Sequence, residues 1–131
     1  MTRINLIPVK ELTDQHLLAE HREIKRIPNL IKSWKYNLND IPKDFCLWKW
    51  HVKFFYNKIE FLHRRYLNLF FECIRRWFKI NDYSYSFYKL INNSLYNDYI
   101  PTEEEIEISR KRINEKINNK PNFYRYKWKL I

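Results

Sequence analysis

The second residue of the chain could supply a nucleophile that needs neither a metal nor a cofactor. The sequence begins Met-Thr-Arg, and threonine is small enough for an aminopeptidase to remove the methionine before it. The Thr2 α-amine would then be the terminus. An α-amine with a pKa of about 7.7–8.0 is roughly one-tenth unprotonated at pH 7, whereas less than about a thousandth of an unperturbed lysine is. The Thr2 α-amine is therefore a ready nucleophile for an electrophilic carbon.

A carboxylate flanked by cations lies in the stretch DQHLLAEHREIKR. On a helix, Ala19, Glu23 and Arg26 fall on one side, with Arg22 alongside and Leu17 on the opposite, core-facing side. A carboxylate placed in this way can stabilise a cationic intermediate and assist proton transfer. The same residues could equally be an ordinary surface ion-pair set, since such pairs are common and contribute little energy.

The sequence does not favour metal chemistry or catalysis by a cysteine or serine nucleophile. The four histidines and two cysteines show neither CxxC nor HxxxH spacing nor any comparable cluster. Cys73 falls on an apolar helical stripe, where a thiol is mostly part of the core. We therefore expect no metal site and no cofactor.

The charge of the chain favours an acidic partner. The formal net charge is +10, and nucleic acid is the commonest partner of such a protein, although a membrane surface or an acidic protein would also be attracted. The chain has no glycine, which excludes Walker A and GxGxxG loops because these loops need a backbone that approaches phosphate closely. No apolar run approaches the roughly 18 residues of a membrane span and no signal peptide is evident, so we expect an intracellular protein.

Two helical segments are predicted before the tyrosine-rich stretch that begins at Asn81. The first is predicted from an N-cap at Thr13 until Pro28 kinks or ends it, with a tail toward Trp34. The second carries apolar residues at three- and four-residue steps as far as Trp77. This second stripe begins at Val52, but the regular helix is expected only from near Ile59.

A third helix is predicted near the C-terminus, which makes the fold class all-α. Thr102 and Glu105 match a capping box, and the stop signal Asn-Asn-Lys-Pro follows at 118–121. The tyrosine-rich stretch NDYSYSFYKLINNSLYNDYI before this helix is interpreted as an ordered loop and not a strand pair. A length of 131 residues fits one domain, 1–131, which is large enough to bury a core without disulfides.

Blocks of the sequence, in order, resemble the phage endonuclease V family of pyrimidine-dimer DNA glycosylases. The resemblance spans nearly the whole chain, and the first block combined with the HxxAExRE pattern is highly specific. It weakens between about Ile27 and Trp50, where this chain is shorter and lacks the family's glycines. Lys25 also stands where a proline is expected, and His21 where a tyrosine is expected. The blocks are MTRINL, TDQHLLAEHREIKR, HVKFFYNKIEFLHRR, ECIRRWFKI, DYIP and PNFYRYKWK.

The resemblance implies a compact protein of three main helices with an N-terminal segment threaded between them. It implies a monomeric DNA glycosylase and AP lyase that acts on duplex DNA containing ultraviolet-induced pyrimidine dimers, without metal or cofactor. Thr2 would be the nucleophile and Glu23 its acidic partner, while Arg3, Arg22 and Arg26 would hold phosphates and support the site.

The resemblance also implies a DNA-binding surface on the third helix and the C-terminal tail. In the tail, aromatic and basic residues alternate, which suits contact with a groove or a displaced base. The same alternation also suits a docked C-terminal strand. The implied DNA-binding residues are Gln15, Arg112, Lys116, Tyr124, Arg125, Tyr126, Lys127 and Trp128.

Two other functions stay open at the level of sequence. One is a basic DNA-binding module that keeps the fold and has lost turnover. The other is a glycosylase and AP lyase for another lesion, such as abasic sites or ring-opened purines. Retention of Thr2, Arg3 and Glu23 together favours an enzyme.

Overall fold

The computed structural model describes residues 2–33 and 37–131, and over these ranges the chain is mostly helical, which confirms the all-α class. A 3₁₀ turn at Val9–Glu11 precedes the first α-helix. Met1 and Trp34, the latter in the tail of the first predicted helix, lie outside the described residues. The α-helices are α1 (Asp14–Glu23), α2 (Arg26–Lys32), α3 (His51–Phe54), α4 (Ile59–Arg75), α5 (Tyr85–Tyr88) and α6 (Glu103–Asn119), followed by strands β1 (Arg125–Tyr126) and β2 (Lys129–Leu130).

Helix α1 begins as predicted and ends earlier than predicted. The Thr13 hydroxyl caps it by accepting the His16 N–H at 3.2 Å. The chain then turns before α2, so the expectation of a break at Pro28 is wrong. Pro28 lies in the first turn of α2, where its missing N–H needs no partner. Its ring would crowd the Ile24 carbonyl one turn back, so the interruption falls there instead.

Helix α4 carries the buried stripe, but the stripe is shorter than its sequence pattern. Ile59, Leu62, Tyr66 and other apolar residues of α4 are fully buried, and the helix begins at Ile59 as expected. The extension to Trp77 is wrong: α4 ends at Arg75, and Trp77 follows with a φ of 65° and a side chain that is 87% exposed. Once the helix stops, the three- and four-residue spacing no longer determines which way a side chain points.

The N-terminal segment runs through the interior between the helices, as the resemblance implies. Ile4, Leu6 and Ile7 are buried in the core. The Asn5 N–H donates to the Glu20 carboxylate on α1 at 3.2 Å, and the Leu6 N–H donates to a hydroxyl on α6 at 3.3 Å. The segment therefore satisfies its backbone with side chains and not with a sheet.

The C-terminal part of the chain combines a capped helix and a small hairpin. Thr102 and Glu105 form both hydrogen bonds of the capping box that opens α6. The stretch from 81 to 100 contains α5 and no strand, which confirms an ordered loop rather than a strand pair. In the tail, β1 and β2 pair antiparallel, with Arg125 opposite Leu130. Within the described ranges, no helix has both the length and the apolar character needed to cross a bilayer.

Candidate functional site

A buried ion pair holds the N-terminal segment against α1 and α4. The Arg65 guanidinium donates to both Glu20 carboxylate oxygens, at 2.7 and 3.0 Å, and the Glu20 side chain is fully buried. The same carboxylate accepts the Asn5 side-chain amide at 2.9 Å, and Arg65 also donates to the Ile7 carbonyl. Because these groups satisfy one another, the pair fixes the path of the chain just after Thr2.

His51 on α3 holds the same segment from the other side. Its Nδ1 lies 2.6 Å from the Cys46 carbonyl and its Nε2 lies 2.9 Å from the Ile4 nitrogen. The ring therefore donates to Cys46 from Nδ1–H and accepts the Ile4 N–H at Nε2, which requires a neutral imidazole. Burial, with the nearby charges of Arg3 and Arg112, lowers the pKa of His51 to about 4.

We expect the stability of the protein to fall as the pH drops below about 6.5. His51 takes up a proton near pH 6.5 in the unfolded state and only near pH 4 in the folded state. Neutral His51 therefore stabilises the folded state fully above about pH 6.5, and this contribution is lost as the pH falls from about 6.5 to about 4. For His51 the loss by about pH 5 corresponds to roughly 2 kcal/mol. Urea unfolding at about pH 7.5 and 5 measures it.

The control for this prediction is His51→Gln, whose amide can make both hydrogen bonds without titrating. It should show a shallower pH dependence than the unsubstituted protein. Part of the dependence should remain, because burial also lowers the pKa of His16, to about 4, and of His21 and His63. An unchanged dependence in His51→Gln would mean that His51 does not set the acid sensitivity.

A small cavity of about 130 Å³ brings several of the expected site residues together. Arg3 and Arg112 line it from opposite parts of the chain, with Glu23 and Glu20 from α1. Arg112 donates to the Asn5 side-chain oxygen at 3.3 Å. Burial and, for Arg3, the neighbouring charge of Arg112 lower the pKa values of the two arginines, yet a guanidinium stays charged. The cavity therefore places two guanidinium groups beside the Glu20 and Glu23 carboxylates.

Glu23 ends α1 at the edge of this cavity, and the prediction that cations flank it is confirmed. Its carboxylate accepts from Arg26 at 3.0 Å and lies 3.8 Å from the Arg22 guanidinium. Arg26 belongs to α2 and not to a continuous α1. Ile24 and Lys25 between the two helices keep helical backbone angles, so the side chains of residues 23 and 26 still lie on the same side. Glu23 is 14% exposed, whereas the two arginines are 62% and 58% exposed, so both can face a phosphate.

Thr2 is not among the residues that line the cavity. It is 7% exposed and is followed directly by Arg3, which does line it together with Glu23.

The C-terminal hairpin docks at the other end of α1. The Gln15 side chain donates to the Phe123 carbonyl at 2.8 Å and accepts the Arg125 N–H at 3.0 Å. Asp14 accepts the backbone N–H groups of both Lys127 and Trp128, at 2.9 and 2.7 Å. Since α1 rises about 1.5 Å per residue, the hairpin and Glu23 lie about 12 Å apart along its axis.

The aromatic residues of the tail are partly packed and partly exposed. Tyr124 is buried and stacks on His16 with ring centroids 4.8 Å apart. The Tyr126 hydroxyl donates to the Lys10 carbonyl at 2.7 Å. The Trp128 indole N–H donates to a backbone carbonyl at 2.6 Å while the ring packs on Phe78 and stays 56% exposed. The tail is thus docked as a short hairpin, the alternative that its alternation of residues also suited, while more than half of the Trp128 surface stays exposed.

Helix α6 adds cations next to the small cavity that contains Glu23. Arg112 and Lys116 line a cavity of about 490 Å³ together with Lys111 and Trp48. Arg112 therefore borders both this cavity and the small one beside Glu23. Among the described residues, no cluster of three or more His, Cys, Asp or Glu side chains could hold a metal ion.

Sequence reasoning missed the groups that position the site. Arg65 carried a usable signal, since a charged residue on the buried stripe of α4 needs a buried partner. His51 carried none, because its two partners, the Cys46 carbonyl and the Ile4 N–H, are backbone groups and Ile4 is 47 residues away. His21, which stands where a tyrosine was expected, lies on the buried side of α1, and its Nε2 is 3.1 Å from the Tyr66 hydroxyl on α4.

The chain matches one family of known proteins over most of this site. A family model described as pyrimidine dimer DNA glycosylase matches residues 1–85. The match includes the N-terminal segment, α1 with Glu23, and the Glu20–Arg65 pair that joins α1 to α4.

Proposed function

Since this chain belongs to the family of pyrimidine dimer DNA glycosylases, we propose that it cleaves the N-glycosidic bond of the 5′ pyrimidine of a cyclobutane dimer in duplex DNA and then nicks the strand. The observation that carries the proposal is the cavity in which Glu23 meets Arg3 and Arg112 at the end of a buried N-terminal segment. The protein acts as a monomer of one domain and uses no metal or cofactor.

The first chemical step is attack by an amine on a sugar carbon. Removal of Met1 frees the Thr2 α-amine, whose unprotonated form attacks C1′ of the 5′ nucleotide of the dimer. The N-glycosidic bond breaks and its electron pair leaves with the base, which takes up a proton. Loss of the amine proton and opening of the sugar ring then leave a protonated imine between Thr2 and C1′.

The second step breaks the strand. The protonated imine is an electron sink that acidifies the C2′ proton, and removal of this proton expels the 3′ phosphate by β-elimination. Glu23 stabilises the cationic sugar as a carboxylate and assists the proton transfers. Its contacts with Arg22 and Arg26 orient it while leaving both guanidinium groups exposed for DNA phosphates.

The DNA lies along α1, from the site at Glu23 to the docked tail, with α6 beside it. A pyrimidine dimer weakens stacking and pairing, so the duplex bends there at lower cost than in intact DNA, and a basic protein can bind that bent form preferentially. In this arrangement phosphate contacts come from the cations of α6 and the tail. Gln15, Tyr124 and Tyr126 hold the tail in place, and the exposed face of Trp128 contacts the distorted duplex. The proposed phosphate ligands in this part of the protein are Arg112, Lys116, Arg125 and Lys127.

We expect Lys116→Ala to weaken binding to damaged and undamaged duplex alike. A lysine that only neutralises a phosphate carries no information about the lesion, and its loss should reduce the salt dependence of binding by about one unit of slope. Affinity measured on matched duplexes across a salt series tests this.

The charge-matched control is Arg64→Ala, which removes an exposed cation of α4 that pairs with Asp98 and is not among the proposed DNA ligands. It should leave the slope nearly unchanged. An equal reduction by both variants would mean that overall charge, and not the α6 surface, sets the salt dependence.

Borohydride trapping tests the proposed function directly. Removal of Met1 is first checked by intact mass. The protein is then incubated with a duplex that contains one cyclobutane dimer, and borohydride is added during turnover to reduce the imine. We expect a stable covalent adduct and a strand break at the dimer. If the protein were trapped on abasic DNA but did not react at the dimer, its substrate would be a different lesion. If it bound the DNA without forming any adduct, it would be a DNA-binding module that has lost catalysis.

A further inference from the structure

The segment Trp48-Lys49-Trp50 places two tryptophan rings at the surface just before α3. Trp48 is 69% exposed and Trp50 is 50% exposed. Rings of this size usually cover apolar area in the core, and neighbouring exposed ones commonly mark a binding surface. The segment lies where the chain departs from the family's glycine-containing pattern, so family resemblance assigns it no role.

The two rings border a cavity of about 520 Å³ that adjoins the proposed active site. Arg3, Trp48, Trp50 and Lys53 are among its lining residues, and Arg3 also lines the small cavity that contains Glu23. Trp48 further borders the α6 cavity with Arg112 and Lys116. Trp48 therefore lines two cavities, and Arg3 joins the first of them to the small cavity that contains Glu23.

Cations surround both rings. The Arg3 guanidinium lies 5.4 Å from the Trp48 ring centroid, and the ammonium groups of Lys49 and Lys53 each lie 4.9 Å from the Trp50 centroid. One guanidinium nitrogen of Arg3, Nη1, has no acceptor among the residues that the structure describes. The surface thus combines flat aromatic faces with a high density of positive charge.

The backbone holds this arrangement in place. Trp50 has a φ of 74°, a left-handed conformation that bulky residues seldom adopt. The His51 N–H donates to the Trp48 carbonyl at 3.0 Å, and His51 itself is fixed by its bond to Ile4. The N-terminal segment and the tryptophans are therefore positioned by the same histidine.

We propose that Trp48 and Trp50 form a stacking subsite for one unpaired nucleobase with its adjoining phosphate. Every base has a face that can stack on an aromatic ring, and the surrounding cations supply the attraction to the phosphate. A base within an intact duplex has both faces covered and cannot enter. The protein therefore binds single-stranded DNA, or a duplex with an extrahelical base, through these rings.

This inference goes beyond the proposed repair reaction, because binding of undamaged DNA involves no excision. Tryptophan fluorescence quenching and anisotropy are measured with three undamaged ligands: a short oligothymidine, a duplex with one extrahelical thymidine, and the fully paired duplex. Trp48→Leu should weaken binding of the first two about five-fold or more. Its effect on the paired duplex should stay within about two-fold, with an unchanged salt slope because no charge is lost.

Three further variants make the test specific. Trp48→Phe keeps an aromatic face and should retain most single-strand affinity. Trp50→Gly removes the second ring at a residue whose φ suits glycine, and should weaken the same two ligands. Phe71→Leu removes an exposed aromatic ring of α4 that lines none of the cavities described above and should change none of the affinities. Melting temperatures confirm that each variant is folded.

Several outcomes would overturn the proposal. Equal weakening of single strand and paired duplex in Trp48→Leu and Trp50→Gly would make the rings part of a general duplex surface. Equal weakening in Phe71→Leu would mean that the loss of any exposed ring lowers affinity, and not a subsite at Trp48 and Trp50. A loss in Trp48→Phe as large as in Trp48→Leu would show that ring shape, not an aromatic face, is required. Failure of dimer excision, by contrast, would contradict the proposed function and leave these affinities unaffected.

Discussion

Protein whose amino terminus is acetylated is expected to bind dimer-containing duplex and leave it uncut. The proposed nucleophile is the α-amine of Thr2, and an amide nitrogen cannot form an imine. Loss of a reacting nucleophile lowers turnover by roughly 10⁶-fold. Acetylation near pH 6.5 favours the α-amine over lysines because its pKa is lower by about 2.5 units. Strand cleavage and binding are measured on the singly acetylated fraction, identified by intact mass.

Matched preparations separate the amine from the threonine side chain. Thr2→Ser keeps a small residue after Met1 and should retain most activity, since the hydroxyl is not the nucleophile. Protein that retains Met1 should be as inactive as the acetylated protein. Full cleavage by an acetylated or Met1-bearing sample would rule out the Thr2 amine as the reacting group.

Glu23→Gln is expected to bind dimer DNA at least as well as the unsubstituted protein and to cut it about 10²- to 10⁴-fold more slowly. Removal of a negative charge near a polyanion does not weaken attraction, whereas a neutral amide can neither stabilise a cationic sugar nor accept its protons. Affinity by anisotropy and single-turnover cleavage rates give the two quantities separately. The size of the amide preserves the contact with Arg26.

Glu20→Gln is the matched control, because Glu20 lies three residues earlier on α1 and lines the same cavity. Its carboxylate holds Arg65 in the interior, so the substitution leaves a buried charge without its partner. We expect a loss of about 3–5 kcal/mol in the free energy of unfolding. If Glu23→Gln lost stability or DNA affinity in the same way, Glu23 would be an anchor for Arg22 and Arg26 and not a catalytic group.

The two glutamates show why sequence patterns could indicate the site without defining its parts. The helical spacing around Glu23 places it among cations, and the structure has those cations at 3.0 and 3.8 Å. Glu20 has equally polar neighbours in the sequence. Its burial depends on Arg65 and Asn5, which are 45 and 15 residues away, and no local pattern reports such a pair.

Local signals were sufficient wherever neighbouring residues decide the conformation. The Thr13 cap, the Thr102 and Glu105 capping box, and the start of α4 at Ile59 each depend on hydrogen bonds or apolar spacing within about one turn. The all-α class follows from the same short-range information. The net charge of +10 likewise favours a nucleic acid partner without reference to the fold.

Tertiary structure alone decided which groups meet. The docking of the tail on Asp14 and the hydrogen bond from the Ile4 N–H to His51 both depend on contacts between distant segments. The exposure of Trp77 and Trp48 belongs here too, since an aromatic residue is buried or open according to what packs against it. The sequence by itself determined the helices and the charge, because these come from near neighbours and composition. The cavity that contains Glu23 required the fold, because its walls come from the N-terminal segment, α1 and α6.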